Sequence, residues 1–308
     1  MFTGLSAFPI TPVTGDGIDE AAFERMVGRI AASGADSVGA LGSTGGYAYL
    51  SRRERARAAR LAVRSAGDVP VTVGVGALRT RDVLEHVEDA QEAGASAVLL
   101  APLTYQPLND DEVFGLYEDV AANLSVPLVV YDNPATTHVA FSDELHGRIA
   151  HLPGVASVKI PPVPADPGQA RARVAGLRAA LPAGVTIGVS GDAAGADGLL
   201  AGCEAWYSAL AGVLPEVCLA VARAAAAGEA ERARALSAEL DPLWELFARY
   251  GSYRVVSAIA VELGRACEPN LPRPVRPLDG TGRRAVAAAL DTIVRTSRSP
   301  AASSIRSA

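Results

Sequence analysis

The stretch that decides the fold and the chemistry is Val155-Ala156-Ser157-Val158-Lys159-Ile160-Pro161-Pro162. Lysine and arginine total 28 in the 308 residues, and Lys159 is the only lysine among them. Arginine stays protonated, whereas a buried lysine can lose its proton and act as an amine nucleophile. Lys159 also ends a β-branched run before two prolines, which is typical of strand ends where barrel and open-sheet enzymes place reactive groups. The alternative is a surface lysine left by chance in an arginine-rich composition.

Short apolar runs alternate with segments of helical period through the first three quarters of the chain. The runs predicted as strands are 4–10, 37–41, 71–75, 97–101, 128–131, 155–159, 185–189 and 205–210. The sequence pattern at 33–38, a predicted helix-to-strand junction, recurs at 93–98. Each copy places a glycine that can end a helix just before a strand. A parallel sheet with crossover helices requires such joints. Eight units in roughly 230 residues predict an α/β fold, a closed (β/α)8 TIM barrel, over residues 1–228.

The chain beyond residue 228 is alanine-rich and has helical periodicity without a further strand pattern. Helices are predicted at 229–246, 253–263 and 281–295, with a proline-rich linker at 269–277. We therefore expect residues 229–295 to form a C-terminal helical extension on the barrel. The Ser/Ala/Arg-rich tail 296–308 is expected to be disordered.

Composition excludes several classes of partner. The net charge is −6 and no basic stripe is present, which argues against nucleic acid or an anionic membrane as a partner. No N-terminal signal is visible, and no apolar run reaches the ~20 residues that span a bilayer. The three cysteines are widely spaced, which indicates a reducing cytoplasm and no disulfide framework. The four histidines lack paired spacing, so no metal is expected.

Polar side chains follow several of the predicted strands, where a barrel places its catalytic groups. They are Ser43, Thr44, Tyr105, Tyr131, Lys159 and the loop 190–192. An amine that condenses with a carbonyl forms a Schiff base, which accepts electrons from a neighbouring bond. A tyrosine phenol can carry the proton, and a Gly-Ser-Thr-Gly loop can bind a carboxylate. Asp192 is interpreted as the N-cap of the helix that follows it.

Three motifs resemble the family of dihydrodipicolinate synthase and N-acetylneuraminate lyase. They are Gly42-Ser43-Thr44-Gly45 after the second strand, Tyr131-Asp132-Asn133-Pro134-Ala135-Thr136-Thr137 after the fifth, and Val158-Lys159 ending the sixth. The resemblance implies that Lys159 forms a Schiff base with pyruvate or a related 2-oxo acid. It implies that Tyr131 is the acid/base phenol, and that Ser43, Thr44 and the Gly45 backbone bind the carboxylate, with Ser43 or Thr44 in the proton relay. It also implies a homo-oligomer, either a dimer or a tetramer. No cofactor is expected.

The sequence departs from that family where a second substrate would be recognised. Gly46 stands in place of a glutamate, and Thr136 in place of the arginine that binds the second substrate's carboxylate in the synthases. The relay tyrosine's position falls on Thr104. The neighbouring Tyr105 is a candidate substitute that acts in an adjacent subunit, and a residue of the barrel rim or of a subunit interface is the alternative. His138 is a candidate for the second substrate, and a solvated loop histidine is the alternative.

The leading hypothesis is a cytoplasmic lyase, an aldolase or a dehydratase, that acts on pyruvate or a related 2-oxo acid. For its chemistry Lys159 must be partly neutral, and we predict that desolvation lowers its pKa. One alternative is a 4-hydroxy-tetrahydrodipicolinate synthase, which condenses pyruvate with aspartate semialdehyde without an arginine at Thr136. Another is a non-catalytic protein that binds a 2-oxo acid or a sugar acid, because Gly46 and Thr104 depart from the family pattern.

Overall fold

Eight parallel strands close into a barrel in a computed structural model that describes residues 1–15 and 17–297. The strands are β1 (Gly4–Ala7), β2 (Val13–Thr14), β3 (Gly17–Ile18), β4 (Ser37–Ala40), β5 (Val71–Gly74), β6 (Ala97–Leu100), β7 (Leu128–Tyr131), β8 (Val155–Ile160), β9 (Thr186–Val189) and β10 (Ala205–Ser208). The barrel runs from β4 to β10 in chain order and closes through β1, while β2 and β3 form a separate antiparallel hairpin. The predicted TIM barrel is confirmed, and the hairpin was not predicted.

Helices connect the strands and cover the outside of the barrel. They are α1 (Glu20–Ala32), α2 (Arg52–Ala66), α3 (Thr80–Glu92), α4 (Asp110–Ala121), α5 (Pro134–Thr137), α6 (Asp143–Ala150), α7 (Pro167–Ala180), α8 (Gly195–Leu200), α9 (Pro215–Ala226), α10 (Ala230–Ala238), α11 (Asp241–Tyr250), α12 (Ser252–Glu262) and α13 (Gly280–Ser297). In the part of the chain that the structure describes, short 3-10 helices cover Tyr47–Tyr49, Asp192–Ala194 and Leu210–Gly212. No helix within the described ranges is both long and apolar enough to cross a bilayer.

Local sequence determines where several helices begin. Ser51 and Glu54 form a capping box at the start of α2, in which each side chain binds the other residue's backbone N–H. Asn109 and Glu112 form the same arrangement at α4. These caps pair backbone donors that a helix start leaves without partners.

The barrel interior is filled by alternating large and very small residues near its carboxyl end. A Cβ atom on Gly39 would lie 2.2 Å from the ring of Phe8, and one on Gly188 would lie 2.2 Å from the ring of Tyr207. The two rings meet edge to face with centroids 5.9 Å apart. The strands therefore need glycine at these positions so that two aromatic side chains can fill the centre of the barrel.

The C-terminal helices differ in detail from their prediction. The single helix expected at 229–246 is two helices, α10 and α11, that break at Glu239 and Leu240. Pro242 explains the break, because a proline ring inside a helix clashes with the carbonyl four residues earlier. The backbone of α13 continues to Ser297, and the rest of the tail that was expected to be disordered lies outside the described residues. The division of the chain at residues 228 and 229 stays a prediction.

Candidate active site

Lys159 lies near the carboxyl end of β8, inside the barrel mouth. Its backbone is in register with Tyr131 of β7 and Gly188 of β9, and only 4% of the residue is exposed. The Nζ atom lies 3.9 Å from the ring centroid of Tyr131, 4.2 Å from that of Phe8 and 5.5 Å from that of Tyr207. The sole lysine is therefore a buried amine surrounded by three aromatic rings.

Burial lowers the pKa of Lys159 to about 7, while the nearby carboxylate of Asp192 acts in the opposite direction. Low-dielectric surroundings disfavour the charged ammonium more than the neutral amine. At neutral pH the neutral and protonated forms of the amine are therefore present in comparable amounts, and the neutral form is the nucleophile. The direction of this pKa shift agrees with the sequence-based prediction.

Asp192 is not the helix N-cap that the sequence suggested. It begins the 3-10 turn ahead of α8, whose N-cap is Ala194. Its buried carboxylate accepts hydrogen bonds from the Ser208 hydroxyl and from the backbone N–H groups of Ala209 and Leu210, at 3.2 and 3.1 Å for the backbone groups. Burial raises the pKa of Asp192, and these bonds oppose the shift. Asp192 thus joins the ends of β9 and β10 and brings a carboxylate to the cavity.

The loop after β4 turns sharply, and its glycines are needed for that turn. Leu41 has a φ of 58°, in the left-handed region that non-glycine residues rarely adopt. A Cβ atom on Gly42 would lie 2.6 Å from the Phe8 ring, and one on Gly45 would lie 3.0 Å from the Gly42 nitrogen. A Cβ atom on Gly74 would lie 1.9 Å from the Leu41 carbonyl oxygen. The strained turn is held by close backbone contacts, as is common at functional sites.

This turn brings Ser43 and Thr44 to the cavity that contains Lys159. The Asn133 side-chain amide donates a hydrogen bond of 3.1 Å to the Ser43 hydroxyl. Burial raises the pKa of Tyr131, and hydrogen bonds with Ser43 and Asn133 partly oppose the shift. Tyr131 therefore stays a protonated phenol that lies between the amine and the hydroxyl loop.

Gly46 leaves a space that another part of the chain fills. The residue has a φ of 68°, and a Cβ atom there would lie 2.3 Å from the hydroxyl oxygen of Tyr253 in α12. The Tyr253 hydroxyl is buried and has no hydrogen-bond partner in the described part of the chain. The glutamate of the family pattern is therefore replaced by a glycine with a tyrosine packed against it.

The cavity above Lys159 has a volume of about 450 Å³. The inner part of the cavity contains Ser43, Thr44, Tyr131 and Asp192. We call the remaining side the outer wall; it is formed by Trp244 and Phe247 of α11 together with Ala135, Thr136, Pro162, Ala194, Ala248 and Ser252. Four aromatic residues of the cavity, namely Phe8, Tyr207, Trp244 and Phe247, were among those not singled out from the sequence. The two on the strands carry a usable signal, since each is an aromatic residue at the carboxyl end of a barrel strand.

Tyr105 and His138 lie outside the cavity of this chain. Tyr105 is 87% exposed on the loop after β6, and its predicted action in a neighbouring subunit stays a prediction. His138 is exposed, and its left-handed backbone with a φ of 59° ends α5. The alternative interpretation of His138, as a solvated loop histidine, fits this placement. Within residues 1–15 and 17–297, no group of three or more metal-binding side chains is placed to hold a metal ion.

Comparisons with known proteins agree with this architecture. The 4-hydroxy-tetrahydrodipicolinate synthase of Hyphomonas neptunium is 32% identical over 78% of this chain and 81% of its own length. A crystal structure of dihydrodipicolinate synthase from Agrobacterium tumefaciens is 44% identical, with a TM-score of 0.91 over 95% of this chain and 98% of that one. A putative dihydrodipicolinate synthetase from Pseudomonas aeruginosa is 30% identical, with a TM-score of 0.86 over 95% and 100%. The family model for the dihydrodipicolinate synthetase family matches residues 1–293, and the chain therefore belongs to that family.

Proposed function

We propose that the protein is a lyase in which Lys159 forms a Schiff base with C2 of pyruvate or a related 2-oxo acid. The observation that carries the proposal is the buried amine of Lys159, with its pKa lowered to about 7, beside Tyr131 and the hydroxyls of Ser43 and Thr44. Membership of a family of enzymes supports this assignment over a non-catalytic binding protein.

The residues of the inner cavity have distinct roles in forming the Schiff base. The neutral Lys159 amine attacks C2, and the carbonyl oxygen takes up a proton from the Tyr131 phenol, which Ser43 connects to the carboxylate-binding loop. The same phenol recovers the proton lost by the nitrogen and then donates it to the carbinolamine hydroxyl, so that water leaves, an iminium remains and Tyr131 becomes a phenolate. The hydroxyls of Ser43 and Thr44 and the backbone N–H groups of their turn bind the substrate carboxylate.

The iminium then accepts the electron pair of a neighbouring bond. In an aldolase the C3–C4 bond breaks, the C4 hydroxyl loses its proton and an aldehyde leaves. The resulting enamine is protonated at C3, and water returns the 2-oxo acid and free Lys159. In a dehydratase a proton leaves C3 and hydroxide leaves C4 as water. Both reactions need the same amine and the same proton carrier.

Reductive trapping tests the proposal directly. We expect borohydride with pyruvate to add the mass of one reduced adduct to the intact protein, and Lys159→Arg to add none. Because Lys159 is the only lysine, peptide mapping locates the adduct without ambiguity. An unchanged intact mass after treatment of the folded protein would overturn the proposal.

A second candidate is the 4-hydroxy-tetrahydrodipicolinate synthase reaction, which the names of the curated relatives favour. Thr136, at the position of the synthase arginine, lines the outer wall and offers no positive charge to a second carboxylate. We therefore place this candidate second. Turnover of pyruvate with aspartate semialdehyde, at a rate that exceeds the rate with other aldehydes, would reverse the order.

We also propose that the protein is cytoplasmic and forms a homo-oligomer, a dimer or a tetramer. Three free cysteines support a reducing compartment. Large apolar side chains are exposed on three consecutive loops, at Tyr49 (50%), Leu78 (62%) and Tyr105 (87%), which supports a covered surface there. Light scattering coupled to size-exclusion chromatography tests the assembly, and a monomer at micromolar concentration would contradict it.

A further inference from the structure

We infer that the outer half of the cavity selects a second substrate whose group beyond the reacting carbonyl is uncharged and apolar, such as an aryl or branched alkyl aldehyde. This inference rests on the proposed function, because it concerns the aldehyde released from, or added to, the Schiff base on Lys159. It deepens that proposal by naming the chemical class of the compound that the sequence left open.

The outer wall is aromatic and held in place. Trp244 is 8% exposed, and its indole N–H donates a 3.1 Å hydrogen bond to the Ser237 carbonyl oxygen. Its ring meets that of Phe247 at 70°, with centroids 5.7 Å apart. Because the indole N–H is already bonded, Trp244 presents carbon atoms to the cavity. α11 also packs on the 3-10 turn that contains Asp192, so this wall lies close to the chemistry.

The distribution of charge around the cavity excludes a carboxylate in the outer half. Among the residues that the structure describes, Lys159 is the only lysine or arginine that lines the cavity, and in the Schiff base its nitrogen is bound to C2 of the first substrate. The other acidic or basic side chain among the described lining residues is Asp192, which cannot attract an anion. Thr136 offers only a hydroxyl, and the Asn133 amide already donates to it at 2.5 Å. A carboxylate against this wall would lose hydration without gaining a charged partner.

The cavity also has room for such a group. Its volume of about 450 Å³ falls in the range of roughly 300–1,000 Å³ that accommodates drug-sized ligands. The three-carbon pyruvate portion occupies only the inner part, between Lys159 and the Ser43–Thr44 turn. The space that remains faces Trp244, Phe247 and Pro162, whose surfaces suit a ring or a branched chain.

The first experiment compares matched aldehydes after adduct formation with pyruvate alone has been verified. Aldol addition of pyruvate is followed with benzaldehyde and isovaleraldehyde, and with glyoxylate and succinic semialdehyde, which carry carboxylates. We expect kcat/KM for the better apolar aldehyde to exceed that for either charged aldehyde by about tenfold or more. If the pyruvate adduct still forms, three results overturn the inference alone: equal kcat/KM values, a higher kcat/KM for the charged aldehydes, or no turnover of the apolar aldehydes. Absence of the pyruvate adduct overturns the proposed function and the inference together.

Substitutions in the wall give an independent test. Phe247→Ala and Trp244→Ala should each lower kcat/KM for the apolar aldehyde about tenfold, mainly through a higher KM, while Trp244→Phe retains most of it. Thr136→Arg should raise kcat/KM for succinic semialdehyde relative to isovaleraldehyde. Glu245→Ala is the matched control, since Glu245 is on the exposed face of α11. Losses that are the same for charged and apolar aldehydes would contradict a selective role of the wall.

Discussion

Replacement of Lys159 by methionine should stabilise the fold at neutral pH while abolishing adduct formation. Burial lowers the pKa of Lys159 from 10.5 to about 7, a difference of about 3.5 units. At 1.36 kcal/mol per pH unit, the buried ammonium lowers the free energy of unfolding by about 5 kcal/mol at pH values below the folded-state pKa. Methionine fills a similar volume without a charge. Loss of the ammonium's contacts with three aromatic rings offsets the gain by about 0.5–2 kcal/mol.

The pH dependence separates this electrostatic effect from changes in packing. Between pH 7 and 10.5 the unfolded chain keeps the Lys159 proton that the folded chain has lost. The free energy of unfolding of the parent protein therefore rises with pH in this window, and Lys159 contributes up to about 1.4 kcal/mol per pH unit to the rise. The stability advantage of Lys159→Met over the parent decreases accordingly, until only its packing contribution remains. Urea unfolding of both proteins at unit intervals from pH 6 to 10 measures the difference. A stability difference that stays constant between pH 7 and 10 would refute a lowered pKa for Lys159.

Three further perturbations test the site. Tyr131→Phe should lower kcat by about 10²–10⁴ in the aldehyde assay with the fold intact, because the proton carrier is lost, and unchanged kcat would exclude that role. Asp192→Asn removes the carboxylate that raises the pKa of Lys159, so the acid limb of the kcat/KM profile should move to lower pH; a shift to higher pH would contradict this. Gly46→Ala should cost about 2–4 kcal/mol in thermal or urea unfolding, from left-handed strain and the contact with Tyr253. Adding Tyr253→Phe should recover part of that loss, and strict additivity would show that the two residues do not interact.

The barrel was predictable because its signals are local and repeated. Each strand is a short apolar run, and glycine joints such as Gly34 and Gly94 end the helices, both with positive φ angles in the structure. The capping boxes at Ser51 and Asn109 also depend on residues three apart. The hairpin was missed because β2 and β3 have two residues each, too few to show alternation. The break before Pro242 was missed because the alanine-rich sequence around it reads as one helix.

The chemistry was more predictable than the shape of the cavity. The prediction of a Schiff-base-forming lyase is confirmed at the level of the family. Lys159 and Tyr131 could be placed together because neighbouring parallel strands bring their carboxyl ends to one face. Trp244 and Phe247 could not be placed at the cavity from the sequence, because α11 follows the last barrel strand and no local pattern shows which loop it covers. Asp192 was misread because a carboxylate before a helix usually caps it, whereas here it binds the end of β10.

The outer wall of the cavity has a consequence for how this protein can change. The amine chemistry depends on side chains fixed in the strands of the barrel, where nearly every substitution disturbs the core. The aromatic wall depends on α11, a ten-residue helix attached outside that core. Random drift in α11 can therefore alter which aldehydes are accepted while the nucleophile and its proton carrier stay intact. For directed evolution, a library confined to the inward positions of this one helix is the economical place to begin.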